Sequence, residues 1–277
     1  MSAARSRRHG RGRLVRFLLA SAAALVSLLP LAVIVKQAFT PDRESFAWPP
    51  TYLPRTLTLE NFAAIADAVE VASGFVMSVS VALVSVVLAL ALALPAAWLA
   101  ARDVPAGRGL DLLVVLARIF PAIAVAVPLA VLLVRAGLYN SPIGAGLWFA
   151  HALLGLPIAF LVLRAGFRAV PRELEEAARL DGARPLAVFW RVTLPLVRPQ
   201  LATAALLVFL ASWDELTYAL LLQVTNRTLP PLLYYLSAFG FPGLSSAVGV
   251  IMLLPALALV VVLERAFRSG LLSGSGR

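Results

Sequence analysis

Acidic side chains are scarce in this 277-residue sequence, with Asp and Glu together numbering 14, and two groups of them stand apart. Glu173, Glu175 and Glu176 crowd together shortly before Asp181-Gly182-Ala183, while Asp214 and Glu215 follow Trp213 inside an apolar run. Clustered carboxylates can bind a metal, pass protons, hydrogen-bond a hydroxyl-rich solute or pair with a basic partner, and the rest of the chain narrows the choice. Cysteine is absent, which excludes disulfides and thiolate metal sites. Of the two histidines, His9 lies in a tail and His151 in an apolar run, so a histidine metal centre is not expected; His151 reads as a packed or interface residue. Lys36 is the only lysine, and no Gly-x-x-x-x-Gly-Lys-Ser/Thr phosphate loop surrounds it. Nucleotide hydrolysis therefore has to come from another polypeptide.

The first acidic group sits in a segment with its own start and stop signals. Pro171 suits a first helical position, and Glu173, Glu175 and Glu176 fall near the positive end of the helix dipole. Gly182 supplies the left-handed stop. On the resulting helix of about three turns, Leu174, Ala177, Ala178 and Asp181 share one face. The two alanines leave a shallow strip that another surface can approach closely, with charged residues beside it to fix register. A second helix is predicted from Pro185 through Phe189, Trp190 and Thr193, ending at Pro195. Periodicity alone leaves two uses open for this pair: a docking surface, or an amphipathic connector on a lipid surface.

The elements that must carry these groups follow from composition. Hydrophobic residues make up 61% and charged residues 14%, against about 25% charged in soluble domains. Apolar runs at 14–35, 71–101, 110–134, 143–163, 201–222 and 246–263 each approach the roughly 20 residues that cross a bilayer as a helix. An all-α polytopic membrane protein of six spans is predicted, with the permease domain at 14–268, a loop at 166–199 and tails at 1–13 and 269–277. The first run is too long for a signal-peptide core and lacks a small-residue cleavage site, so it is expected to be retained. The second run is long enough to tilt or to bend at Pro95.

Net charge is +10, and its distribution assigns it to topology and lipid rather than nucleic acid. One side collects Arg5, Arg7, Arg8, Arg11, Arg13 and Arg16, then Arg102 and Arg108, the arginines between 164 and 198, and Arg265, Arg268 and Arg277. The other side has Lys36, Arg43, Arg55, Arg135 and Arg227. Both termini and the 166–199 loop are therefore expected in the cytoplasm. Arg118, inside the third run, is expected to snorkel or to pair with Asp111. Trp48-Pro49-Pro50 and Tyr52 give the first external loop an interfacial anchor or a partner surface. Asp214 and Glu215 are costly in lipid and should line a solute path or form a structural pair or gate.

Glu176-Ala177-Ala178, then Asp181-Gly182-Ala183, then Val192-Thr193-Leu194-Pro195-Leu196 and Pro199 closely resemble the EAA loop of ABC-importer permeases. The Glu-Glu-Ala-Ala-Arg-Leu-Asp-Gly-Ala form is similar to the carbohydrate branch, MalG-like members above all. Shorter matches extend the resemblance over most of the chain: Thr40-Pro41-Asp42-Arg43, Leu59-Glu60-Asn61-Phe62, Ser212-Trp213-Asp214-Glu215 and Thr228-Leu229-Pro230. The chain departs from the family's usual pattern at Asp214, where asparagine is common, at Met77-Ser78, and in its C-terminal tail.

The resemblance implies a sugar or polyol importer of the bacterial inner membrane. Its partners would be a second, MalF-like permease, two cytosolic ATPase subunits and an extracytoplasmic solute-binding protein. It also implies that Glu175, Glu176, Ala177, Ala178, Asp181, Gly182, Ala183 and Pro195 serve ATPase coupling, and it leaves Trp213, Asp214 and Glu215 as candidates for the solute path. No cofactor is expected in this chain, ATP and Mg2+ belonging to the ATPases. The competing readings are an ABC permease for a non-sugar solute and an ion- or proton-coupled secondary transporter with Asp214, Glu215 and Arg118 as relay groups; a docking loop argues against the latter.

Overall fold

The computed structural model describes residues 2–102 and 105–268, and side chains within 15–102, 107, 109–114, 116–259 and 261–262. The tail at 269–277 lies outside the described residues, as do the side chains of Arg108 and of the N-terminal arginines before Arg16. Among the described residues every regular element is helical. In chain order these are α1 (Ser2–Ala38), α2 (Asp42–Ser45), α3 (Glu60–Asp67), α4 (Val69–Ala100), α5 (Pro105–Ile119), α6 (Ala122–Arg135), α7 (Ala145–Ala169), α8 (Arg172–Leu180) and α9 (Pro185–Val188). A π-helical turn (Phe189–Thr193) follows, then α10 (Leu194–Leu196), α11 (Arg198–Trp213), α12 (Thr217–Leu222), α13 (Leu229–Ala238) and α14 (Pro242–Arg268).

Among the described residues, four helices are long and apolar enough to cross a membrane unbroken: Val15–Ala38, Val69–Ala100, Ala145–Ala169 and Pro242–Leu259. Two further stretches qualify as bent pairs, Gly109–Ile119 with Ala122–Arg135 at 101° and Pro185–Leu196 with Arg198–Trp213 at 76°. The third apolar run is thus not the straight helix the sequence predicts. Pro121, which has no N–H to donate and takes φ −65°, ψ 141°, separates its two halves. The fifth run also breaks, at residues 214–216. The second run, by contrast, stays one helix through Pro95.

The described residues form two compact units, 2–67 with 236–251 and 68–235 with 252–268. In the first, Asn61 is buried and its Nδ2 donates to Ala38 O at 2.9 Å and Thr40 O at 3.0 Å. Gly243 packs so tightly on that amide that a Cβ there would lie 2.5 Å from Asn61 Oδ1. Glu44 gathers the following loop, accepting from Arg55 N at 2.7 Å, Thr51 Oγ1 at 3.0 Å and Thr56 N at 3.4 Å. The Arg55 backbone N–H, above all, holds its carboxyl below the usual glutamate value. Trp48 and Tyr52 are almost fully exposed.

The second unit is organised around α4, α7 and α11. Small residues make this packing possible: Ala82, Ser85, Ala89, Ala93, Ala97 and Ala100 recur every three or four residues along α4 and are all buried. In lipid, where apolar burial drives helix pairing weakly, such a stripe lets backbones approach and gain dispersion contacts. On α7, a Cβ at Gly155 would meet Val208 Cγ1 at 2.5 Å, and one at Gly166 would meet Val197 Cγ1 at 2.8 Å. Phe160, Leu163 and Phe167 fill the space between, each at most 1% exposed.

Candidate functional site

The helix predicted from Pro171 forms as α8, one residue later than the proline itself, which serves as its N-cap. Its end is a Schellman turn. The Gly182 N–H reaches Arg179 O and the Ala183 N–H reaches Ala178 O, both at 3.0 Å, with Gly182 at φ +85°. That φ is the physical reason a glycine stands there.

The three glutamates do not face one way. Glu175 turns into the protein and is 3% exposed. It forms an ion pair with Arg102, just beyond the end of α4, and accepts a hydrogen bond from Thr193 Oγ1 at 2.6 Å. Arg102 also donates to Phe167 O at 3.5 Å near the end of α7. Burial pulls the Arg102 guanidinium below its ordinary value, and the Glu175 charge opposes that pull. One carboxylate therefore ties α8 to α4, α7 and the π turn. Glu176, Ala177, Leu174 and Asp181 are exposed, Ala178 and Ala183 half-buried and Gly182 exposed, so the shallow alanine strip lies open on the outer side of α8.

The second predicted helix is present in three parts. Between α9 and α10 the π turn inserts one residue, and Leu194 N–H bonds back five positions to Phe189 O. Pro195, half-buried in α10, lacks the N–H that would continue an ordinary ladder, which accounts for the irregular winding here. Val188, Phe189 and Val197 anchor the segment inward, while Leu186 and Trp190 are exposed at 71% and 60%.

Trp213, Asp214 and Glu215 are separated by their surroundings. Trp213 is 3% exposed; its Nε1 donates to Met252 O at 3.0 Å and its ring stacks on Phe209 at 5.8 Å. Glu215 is buried and caps the break in the fifth run. Its carboxylate accepts from Tyr218 N at 2.9 Å and Ala219 N at 3.1 Å, with His151 Nε2 at 3.4 Å. His151 Nδ1 lies 2.7 Å from Ser212 Oγ, completing a buried polar knot where α11 stops and α12 begins. Asp214 alone of the three is exposed. The pairing expected for Arg118 is not made, because Asp111 is engaged by Arg164 of α7. Arg102, Thr193 and His151 were not foreseen as partners of these acids, nor Ser212 as the partner of His151. Their sequence separations, 73 residues for Arg102 to Glu175 and 61 for His151 to Ser212, leave no local pattern to find. Among the described residues no group of three or more His, Cys, Asp and Glu is placed to hold a metal.

Residues 89–272 match the model of the binding-protein-dependent transport system inner membrane component. The chain belongs to that family. Relatives include the trehalose transport system permease protein SugB of Mycobacterium tuberculosis, 34% identical over 230 residues, covering 80% of this chain and 83% of the relative. The sulfoquinovosyl glycerol transport system permease protein SmoH of Agrobacterium fabrum is 31% identical over 268 residues, covering 95% and 93%. In fold, the chain resembles a chain from the crystal structure of a bacterial ABC transporter involved in the import of the acidic polysaccharide alginate. That similarity has a TM-score of 0.74 at 20% identity, covering 92% of this chain and 95% of that one. As the permease component of such a system, the chain spans the membrane while ATP hydrolysis belongs to separate subunits.

Proposed function

We infer that this chain is one of two permease subunits of an ATP-driven saccharide or polyol importer, and that α8 is its coupling helix. The observation that carries the reading is α8 itself. It is a short helix with an open alanine strip flanked by Glu176, sealed by a Schellman turn, and fastened through Glu175 to the ends of two apolar helices. A count of six crossings, taking each bent pair as one, and the arginine distribution support a cytoplasmic position for both termini and α8. There two ATPase subunits would engage the coupling helices of this chain and of the second permease. A solute-binding protein would deliver the solute from outside. Relatives named for trehalose and sulfoquinovosyl glycerol support a saccharide or polyol as the solute.

In this mechanism closure of the ATPases on ATP displaces α8. Because Glu175, Arg102 and Phe167 O form one connected set, the displacement moves α4 and α7 with it as a rigid body, an inward-open to outward-open switch. Glu176 is the main polar contact to the ATPase, and Asp214 is the candidate solute-path residue, since Trp213 and Glu215 are occupied within the fold. The test is uptake by cells expressing the assembled importer. Transport that stops on ATP depletion and survives collapse of the proton gradient supports the reading, and the opposite pattern identifies an ion-coupled carrier.

A further inference from the structure

The break in the third apolar run opens a cavity of about 340 Å³ between the junction of α5 and α6, α7 and α12. Its lining is apolar, from Phe120, Val125, Leu153, Pro157 and neighbours, with two polar exceptions: Arg118 and Tyr218. Asp111, the carboxylate nearest Arg118 in sequence on α5, is held by Arg164, and Arg118 has no ion-pair or hydrogen-bond partner among the described residues. Tyr218 is 4% exposed, with its backbone N–H fixed by Glu215, and its hydroxyl likewise makes no hydrogen bond there. An exposed guanidinium at the mouth and a buried phenol thus line one half-open, mostly apolar space that no carboxylate lines.

That donor set discriminates. A neutral sugar presents hydroxyls that need acceptors as well as donors, and this lining offers no carboxylate or amide to receive them. A carboxylate or sulfonate is acceptor-only, matches the planar fork of arginine in two parallel bonds, and relieves an unpaired cation inside a membrane. We propose that this cavity is a solute subsite of the permease, in which Arg118 and Tyr218 bind the acidic group of an anionic saccharide. The proposal rests on the importer reading above and specifies its solute as acid-bearing.

The test uses the assembled importer in nanodiscs of zwitterionic lipid, titrated with a glucuronic-acid-terminated disaccharide and with its neutral glucose counterpart, binding being read by saturation-transfer NMR. The acidic disaccharide should bind, the neutral one at least tenfold more weakly. Arg118→Gln should weaken the acidic ligand at least tenfold and Arg118→Lys less, while Tyr218→Phe should produce a smaller loss. Co-purification of the ATPase subunits with each variant controls for folding. Equal binding of the two disaccharides, or acidic binding that survives both Arg118→Gln and Tyr218→Phe, overturns the proposal. So does displacement of the disaccharide by phosphatidylglycerol at equimolar level, which would assign the cavity to a lipid phosphate. Failure of the importer reading is separate, showing as absence of the ATPase subunits or of ATP-dependent uptake in the unmodified complex.

Discussion

Replacing Glu175 by alanine strands Arg102. The Arg102 side chain is 15% exposed and that of Glu175 4%, so the variant leaves a largely desolvated guanidinium with only the 3.5 Å contact to Phe167 O, and Thr193 without its acceptor. Breaking one side of a buried pair typically costs about 3–5 kcal/mol. The partial access of water to Arg102 argues for the lower end, about 3 kcal/mol. Because the pair joins α8 to the rest of the fold, the cost should appear as local undocking of α8 and not as global unfolding. At about 1.4 kcal/mol per factor of ten, amide exchange within 172–183 should accelerate roughly 100-fold while the buried middle of α4 exchanges at its normal rate. Hydrogen–deuterium exchange read by mass spectrometry on the purified complex measures both at once. The apolar double variant Arg102→Met with Glu175→Leu should recover most of the protection, since it removes the stranded charge with its partner. If exchange over α8 rises less than threefold in Glu175→Ala, or rises equally in the double variant, the pair does not hold the helix.

Gly182→Val forces a β-branched residue to φ +85°, costing about 1–2 kcal/mol at the Schellman turn, and should reduce recovery of the ATPase subunits in affinity purification. Gly155→Leu places a side chain where Val208 Cγ1 already lies 2.5 Å from the Cβ position, so α7 and α11 should separate and the melting temperature fall clearly; an unchanged melting curve contradicts the packing. Asp214→Asn should leave complex assembly intact and alter uptake rate or solute preference in a transport assay, and identical kinetics would remove Asp214 from the path. Glu44, whose carboxyl is held below the ordinary glutamate value in the fold, stabilises its loop above that ordinary value and ceases to do so as pH falls through the lowered one. Proteolysis of residues 44–56 should therefore accelerate on acidification in the native protein, and Glu44→Gln should be insensitive over the same range.

Legibility of the sequence followed locality. The start and stop of α8 depend on Pro171, the early glutamates and Gly182, all within a few turns, and these were readable from order alone. The length and apolarity of α1, α4 and α7 were equally plain, because hydropathy sums over a window. Breaks were harder. Pro95 and Pro121 both lie in apolar runs and both are exposed, yet only Pro121 ends a helix. Glu175 and Glu176 are neighbours in sequence and about 100° apart around a helix, so one faces Arg102 while the other faces outward. Which of them turns inward is set by Arg102 and Thr193, which no local pattern links to them. Asp111 shows the same limit: a partner seven residues away on its own helix was plausible, and Arg164 on α7 is the one it has.

As a coupling helix, α8 would meet a separate ATPase with its outer face. The sequence has no cysteine, so Ala177→Cys introduces a unique thiol on the exposed strip. A short bifunctional crosslinker applied to membranes of cells making the whole importer should join this chain to its ATPase subunit, with a yield that changes between nucleotide-free and ATP-bound conditions. A thiol at residue 177 that is labelled by a membrane-impermeant reagent from outside intact cells, or that crosslinks to no ATPase in either condition, contradicts the account.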